Sequence, residues 1–306
     1  MTRHFLTIWD ISEEEIWALI ERAQALKQAL RGGSLVKTLQ GKVLGLLFMK
    51  PSTRTRVSFE AGMYYLGGNC IFMTSKETQL SRKEPLSDTA RVLSRYIDAL
   101  VVRTYAHEEV EELARYSSIP VINGLTDLHH PCQVLGDLLT VWEKKKSFNF
   151  PIAWVGDGNN VCHSWIEAAL RLGLTLRVAT PDGFEPHPSI IEKIKKNAGK
   201  GHGSVEILRD PVEAVKDAQV VNTDVWTSMG QEAEEARRRE VFKPYQVNRQ
   251  LLSHAHPDAI VLHCLPAHRG EEITDDVIEG PQSVVFDQAE NRMFVQMALL
   301  EWLIIR

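Results

Sequence analysis

Short apolar runs alternate with stretches of helical periodicity along nearly the whole chain, and this alternation restricts the fold more than any other feature. Ser12 followed by three glutamates predicts a capped helix that runs to about residue 30 and stops at Gly32-Gly33. An apolar strand is expected over 43–49. The next helix starts after Ser52, with Val57, Phe59, Met63 and Leu66 as its inner face, and ends at Gly67-Gly68. The pattern repeats as strand 70–73, helix 88–96, strand 99–103, helix 107–116, strand 120–123 and helix 131–146. Ser147-Phe148-Asn149 makes a polar break. A second series then follows: strand 152–155, helix 160–172, strand 175–179 and helix 188–197. Strands at 205–208, 219–222, 259–262 and 283–286 complete it, and one apolar helix spans 289–305. Strand–helix alternation in both halves implies two doubly wound parallel-sheet α/β domains. In such sheets ligands bind at the carboxyl ends of the strands.

The 306 residues suffice for two such domains, and 44% apolar with 25% charged residues is an ordinary globular composition. A net charge of -5 argues against a nucleic-acid or membrane-surface partner held by bulk charge. Cys70, Cys132, Cys162 and Cys264 form no C-x-x-C pair, so neither a structural zinc site nor disulfides are expected. A reducing compartment, the cytoplasm, is the corresponding expectation. No apolar leader follows Met1, and no apolar run reaches transmembrane length.

Five segments carry candidate chemistry. Ser52-Thr53-Arg54-Thr55-Arg56 follows a strand and opens a helix, where free backbone N–H groups and the helix dipole attract an anion. The hydroxyls add donors, and the arginines add planar cationic forks suited to phosphate. The plain alternative is a capped helix with two surface arginines. No Walker motif is present, so nucleoside-triphosphate hydrolysis is not indicated. His129-His130-Pro131-Cys132-Gln133 opens a helix after a strand, and Arg103 ends a strand of the same half. Both are therefore expected at one crevice, with His130 a candidate for hydrogen bonding or proton transfer. Gly156-Asp157-Gly158-Asn159-Asn160 imitates a dinucleotide fingerprint, but Val161 stands where its third glycine belongs. Asn222 to Gly230 offers Asp224 and a Ser-Met-Gly turn, and His263-Cys264-Leu265-Pro266 offers a thiol after an apolar strand. The charge run 232–240 reads as a solvated helix face.

Ser-Thr-Arg-Thr-Arg, His-Pro-Cys-Gln, Asp-x-x-x-Ser-Met-Gly and His-Cys-Leu-Pro occur in this order, and with them the chain resembles the aspartate/ornithine carbamoyltransferase family. The last two motifs point to ornithine as the amine. The resemblance implies transfer of the carbamoyl group of carbamoyl phosphate to the δ-amine of L-ornithine, giving L-citrulline and phosphate in arginine metabolism. It implies a carbamoyl-phosphate domain over 1–146, with helix 289–306 packing back on it, and an ornithine domain over 147–288. The active site would lie in the cleft between them, in a homotrimer or a multiple of trimers, with no metal and no organic cofactor. Carried over by motif, Ser52, Thr53, Arg54 and Thr55 would hold the phosphate, together with Gln79 and Lys83. Arg103, His130, Pro131, Cys132 and Gln133 would hold the carbamoyl group. Asn160, Asp224, Ser228, Met229, Cys264, Leu265 and Arg292 would hold ornithine. Arg103, His130, Asp224 and Cys264 would be the catalytic set.

Charge building on the carbamoyl oxygen during attack would be met by Arg103, His130 and the Thr55 hydroxyl. The attacking amine must be neutral, and Asp224 and Cys264 could orient it and assist its proton loss. Met49 and Pro51 depart from the pattern expected of ornithine enzymes. A proline at 51 is more like relatives that carbamoylate acylated ornithine, so N-acylornithine, putrescine or another small amine is the nearest alternative. An NAD-dependent dehydrogenase using the Gly156 turn, and a non-enzymatic paralogue, are the rivals of other classes.

Overall fold

The computed structural model describes residues 2–197, 203–228 and 232–305. It divides into two compact units, one of Met1–Leu139 with Glu290–Arg306, the other of Thr140–Ala289. Both are α/β with wholly parallel sheets.

The first unit runs α1 (Glu13–Arg31), β1 (Val43–Phe48), α2 (Thr53–Tyr65), β2 (Asn69–Thr74), α3 (Leu86–Leu93), β3 (Ala99–Arg103), α4 (His107–Tyr116), β4 (Val121–Leu125) and α5 (Pro131–Lys145), whose last turns enter the second unit. Its strand order is β2-β1-β3-β4. Sequence and position agree: β1 and β3, flanked on both sides, are continuous apolar runs, whereas the edge strand β2 alternates exposed and half-buried residues. Gly45 lets β1 lie close under the next layer, since a Cβ there would stand 2.5 Å from Ile97 Cδ1. At the opposite edge Phe5 pairs with Ile122 and covers β4.

α1 begins as its capping box dictates, with Ser12 and Glu15 exchanging hydrogen bonds. Its inner face meets the last helix. Lys27, buried, donates to Asn291 Oδ1 at 2.6 Å, and Arg22 grips Glu301 with two bonds of 2.6 and 2.8 Å. In α2, Phe59 and Met63 are buried, with Leu66 just beyond, but Val57 is 55% exposed and belongs to the outer face, contrary to expectation. It stands two positions from both Thr55 and Phe59, about half a turn off the inward stripe.

The second unit runs β5 (Pro151–Val155), α6 (Asn160–Leu172), β6 (Thr175–Ala179), α7 (Pro188–Asn197), β7 (Ser204–Leu208), α8 (Pro211–Val215), β8 (Val220–Thr223), α9 (Glu235–Phe242), α10 (Arg249–Leu252), β9 (Ile260–His263), α11 (Asp275–Ile278) and the start of α12 (Val285–Ile304). Its strand order is β7-β6-β5-β8-β9. The strand expected at 283–286 does not form. Ser283 makes a single bridge to Val261, which shields the open edge of β9, and the chain turns into α12 at Val285. The charge run does lie largely on a solvated helix, α9, but Arg238 within it is buried. Among the described residues no helix is long and apolar enough to cross a membrane.

Candidate functional site

In a parallel sheet the strand ends share one edge, and in the first unit that edge collects the predicted anion site. β1 leads to Ser52, β3 ends on Arg103, and β4 leads to His130. Backbone bonds stitch these exits together, from Met49 N to Arg103 O at 2.8 Å and from Thr104 N to Leu125 O at 3.0 Å. Ser52 caps α2 by accepting from Thr55 N at 3.2 Å, which leaves early N–H groups of the helix for a ligand.

Arg292 arrives from α12 and donates to the Thr55 hydroxyl at 2.9 Å. Gly136 in α5 makes room for it, because a Cβ there would sit 2.9 Å from Arg292 Cγ. Arg292, which the resemblance implies for the amine, thus stands in the first unit beside Thr55.

His130 is buried, and its pKa is driven well below 6.5, first by burial and then by Arg292, Arg103 and Arg54. It is a neutral imidazole in a positive field. Arg54 forms no ion pair or hydrogen bond among the described residues. Gln133 is buried, its amide donates to Asp137 at 2.8 Å, and its Oε1 has no partner. A partnerless buried acceptor beside a cationic cluster suits a ligand that carries both N–H groups and negative charge.

Other predicted members are placed differently. Pro131 forms the first turn of α5. The Cys132 thiol is buried, donates to Asn123 O at 3.4 Å and is pushed up to about 12 by burial, so its side chain is committed to the core. Arg56 lies 3.6 Å over the Phe72 ring with its Nε 3.0 Å from Glu60, directed at β2 rather than at an anion. Gln79 and Lys83 stand on an exposed turn, and among the described residues their side chains form no hydrogen bond or ion pair with Ser52 to Thr55.

In the second unit the adjacent strands β5, β8 and β9 deliver Asn159, Asp224 and Cys264 to one another. Asp224 is buried. Its Oδ2 accepts from Asn159 Nδ2 at 2.8 Å, and its Oδ1 accepts from the Cys264 thiol at 2.9 Å and from Val225 N at 2.8 Å. Asn159 also caps α6, accepting from Val161 N and Cys162 N, so one side chain fixes both the helix and the carboxylate. Asn160 and Ser228 are half-buried nearby in sequence, and Met229 lies outside the described residues.

The loop carrying Cys264 has a buried support. His263 Nδ1 accepts from Leu265 N at 2.9 Å, which puts the ring proton on Nε2, 3.0 Å from Glu272 Oε1. Leu265 is held at φ 58, a left-handed conformation. Asp224, His263 and Cys264 have ligating atoms within 4.8 Å of one another, but both His263 nitrogens are already engaged, so a metal there would have to break this support. The dinucleotide reading of the Gly156 turn meets a steric obstacle. Gly158 N donates to Phe184 O, and a Cβ on Gly158 would lie 2.4 Å from Pro186 N, so residues 184–186 fill the space a pyrophosphate would need.

Asn159 and Glu272 were not singled out from sequence. The Asn159 signal is its place one residue before a helix, and Glu272 carries none, because it acts only on another side chain.

Comparison with protein families matches residues 3–143 to the aspartate/ornithine carbamoyltransferase carbamoyl-P binding domain and residues 149–303 to the Asp/Orn binding domain of the same family. The chain belongs to the aspartate/ornithine carbamoyltransferase family. The ornithine carbamoyltransferase of Pyrococcus horikoshii is 53% identical over 303 residues, 99% of this chain and 96% of that protein. That of Desulfotalea psychrophila is 53% identical over 302 residues, 98% and 99% of the two chains. The solved ornithine carbamoyltransferase of Pyrococcus furiosus superposes with a TM-score of 0.95 at 52% identity, covering 99% of this chain and 97% of its own. The carbamoyl-P binding match lies in the first unit except for its last residues, 140–143, whereas the Asp/Orn binding match covers most of the second unit and also residues 290–303, which pack with the first.

Proposed function

We propose that the chain transfers the carbamoyl group of carbamoyl phosphate to the δ-amine of L-ornithine, forming L-citrulline and phosphate in arginine metabolism. The observation that carries this reading is the buried His130 set among Arg54, Arg103 and Arg292, with Arg292 donating to the Thr55 hydroxyl at the start of α2. Ser52, Thr53, Arg54 and Thr55 hold the phosphate, and Arg292, through Thr55, belongs with them. The Gln133 carbonyl accepts from the carbamoyl N–H. Arg103 and His130 donate to the carbamoyl oxygen as charge develops on it, and a neutral imidazole still has one N–H to give.

The neutral δ-amine attacks the carbamoyl carbon and forms the C–N bond. The C–O bond to phosphate breaks, and its electron pair leaves on the phosphate, already neutralised by Arg54. The amine surrenders a proton towards the Asp224–Cys264 pair, in which the carboxylate already accepts a hydrogen bond from the thiol. Asn160, Ser228, Met229 and Leu265 complete the amine site in this reading. Bringing two substrates together supplies a large share of the rate through orientation.

Ornithine, rather than another amine, is supported by the names of relatives that match almost the full chain. The test is an amine panel with purified protein and carbamoyl phosphate: L-ornithine, N-acetylornithine, putrescine and L-aspartate. Citrulline formation should exceed the other products by at least ~100-fold in kcat/KM. A higher value for N-acetylornithine would overturn the amine assignment and leave the carbamoyl phosphate site standing.

We place the protein in the cytoplasm, where its four free thiols stay reduced, and assign it a homotrimer built through the first unit. Val57 and Tyr64 on α2 and Ile71 on the edge strand β2 are exposed and suit such a contact. A monomeric mass by light scattering would remove the assembly.

A further inference from the structure

Three consecutive arginines stand on α9, and the middle one alone is buried. Arg239 reaches Glu235 and Glu271 at the surface. Arg238 points inward, and a buried guanidinium persists only where its donors are matched. Its Nη1 donates to Asp157 Oδ2 at 3.0 Å and to the Trp226 carbonyl at 2.7 Å, and its Nε donates to Glu234 at 3.2 Å. Its plane lies 4.8 Å from the Phe184 ring.

Both acceptors matter for position. Asp157 stands in the turn after β5, and its main-chain oxygen accepts from Trp154 Nε1 at 2.9 Å, so the turn is anchored to the sheet. Burial raises the Asp157 pKa to about 6 against the pull of Arg238, with Asp224 and Glu234 adding to the rise, so this carboxylate has little reason to be here except its partner. Two residues on, Asn159 holds the side chain of Asp224. The same short turn thus grips the segment after β8 twice: directly at Asp224, and at Trp226 by way of Arg238. Ser228 follows within two residues.

We propose that Arg238 is a positioning residue for the amine substrate: joined to Asp157, it clasps the Trp226 carbonyl and sets the path of the chain from Asp224 to Ser228. This rests on the reading of Asp224 and Ser228 as amine-binding residues. An ion pair that served only to hold α9 in place would lower stability without discriminating between the two substrates.

The test uses the full chain with Arg238→Lys and Asp157→Asn. A lysine keeps the charge but offers no planar fork to reach both acceptors. The asparagine keeps an acceptor of the same shape, so its effect should run in the same direction and be smaller. Arg238→Lys should raise the KM for ornithine by about tenfold or more and leave that for carbamoyl phosphate within about twofold. In parallel, amide exchange followed by mass spectrometry should accelerate about tenfold over 224–228, with 43–48 unchanged.

Unchanged ornithine KM with unchanged exchange overturns the clasp, and so does an equal rise in both KM values. Should Arg238→Lys fail to fold, Asp157→Asn decides by the same criteria. If the wild-type chain fails to turn over ornithine, the proposed reaction falls, and the exchange over 224–228 still decides the clasp.

Discussion

His130 shows how far a residue's neighbours can fix its state. Burial and three guanidinium groups all disfavour its protonated form. In the unfolded chain the same residue titrates near 6.5, so below that pH the unfolded state binds a proton that the folded state refuses. Its contribution to stability is therefore present above pH 6.5 and is lost as pH falls from 6.5 towards the lower folded value. The loss has a limit of ~1.4 kcal/mol per pH unit for one proton. Denaturant melts of wild type and His130→Gln should show the wild-type advantage shrinking between pH 6.5 and 5, and a constant gap would refute the assignment.

Residues of this kind were legible in the sequence because each stands where a strand ends or a helix begins: Arg54, Arg103, His130, Asp224 and Cys264. Glu272 and Arg238 were not, because they act only through other side chains, and Asn159, although it stands just before α6, was not separated from its neighbour Asn160. Arg56 has a charge that fits phosphate in the motif, but it stands two positions beyond Arg54 and lies over the Phe72 ring.

Among the elements, α4 and α6 were readable to the residue, since long amphipathic stretches fix their own period and α6 ends on a left-handed Gly173. The short helices α10 and α11 were not, being too brief for any period to show. The apolar stretch 283–286 satisfied a strand pattern locally, but it has only one bridge to make before α12 begins. The turn between β5 and α6 is the element on which the amine half-site depends, and its tightest point is Gly158. A methyl group there would meet Pro186 N at 2.4 Å, Glu185 C at 2.5 Å and Phe184 O at 2.7 Å, all backbone atoms. Backbone cannot swing aside as a side-chain tip can. Gly158→Ala should cost about 2 kcal/mol or more, seen as a melting temperature lower by roughly 5 °C. It should also weaken ornithine binding by displacing Asn159. A melting curve identical to wild type would show that residues 184–186 yield freely.

At the scale of the whole molecule, the first unit is discontinuous: it closes only when residues from Glu290 onward return to it. Helical spacing announced the last helix, but nothing in that spacing named its partner, which is set by contacts from far along the chain. Those contacts are Arg22 with Glu301, Lys27 with Asn291 and Glu290, and Arg292 with Thr55. Phe294, Val295, Leu299 and Leu300 are buried with them. Burying four such side chains contributes roughly 6–12 kcal/mol as an upper bound. That is comparable with the ~5–15 kcal/mol that stabilises a whole domain. Removing the helix also takes Asn291 and Glu290 away from the buried Lys27 ammonium. A chain ending at residue 289 should therefore lose amide protection in β1 and β3 while keeping it in β5 and β8, and it should no longer bind carbamoyl phosphate. Hydrogen exchange by mass spectrometry reads both units in one experiment. Retained protection over 43–48 would mean that the first unit closes on its own, and that α12 serves only to bring Arg292 to Thr55.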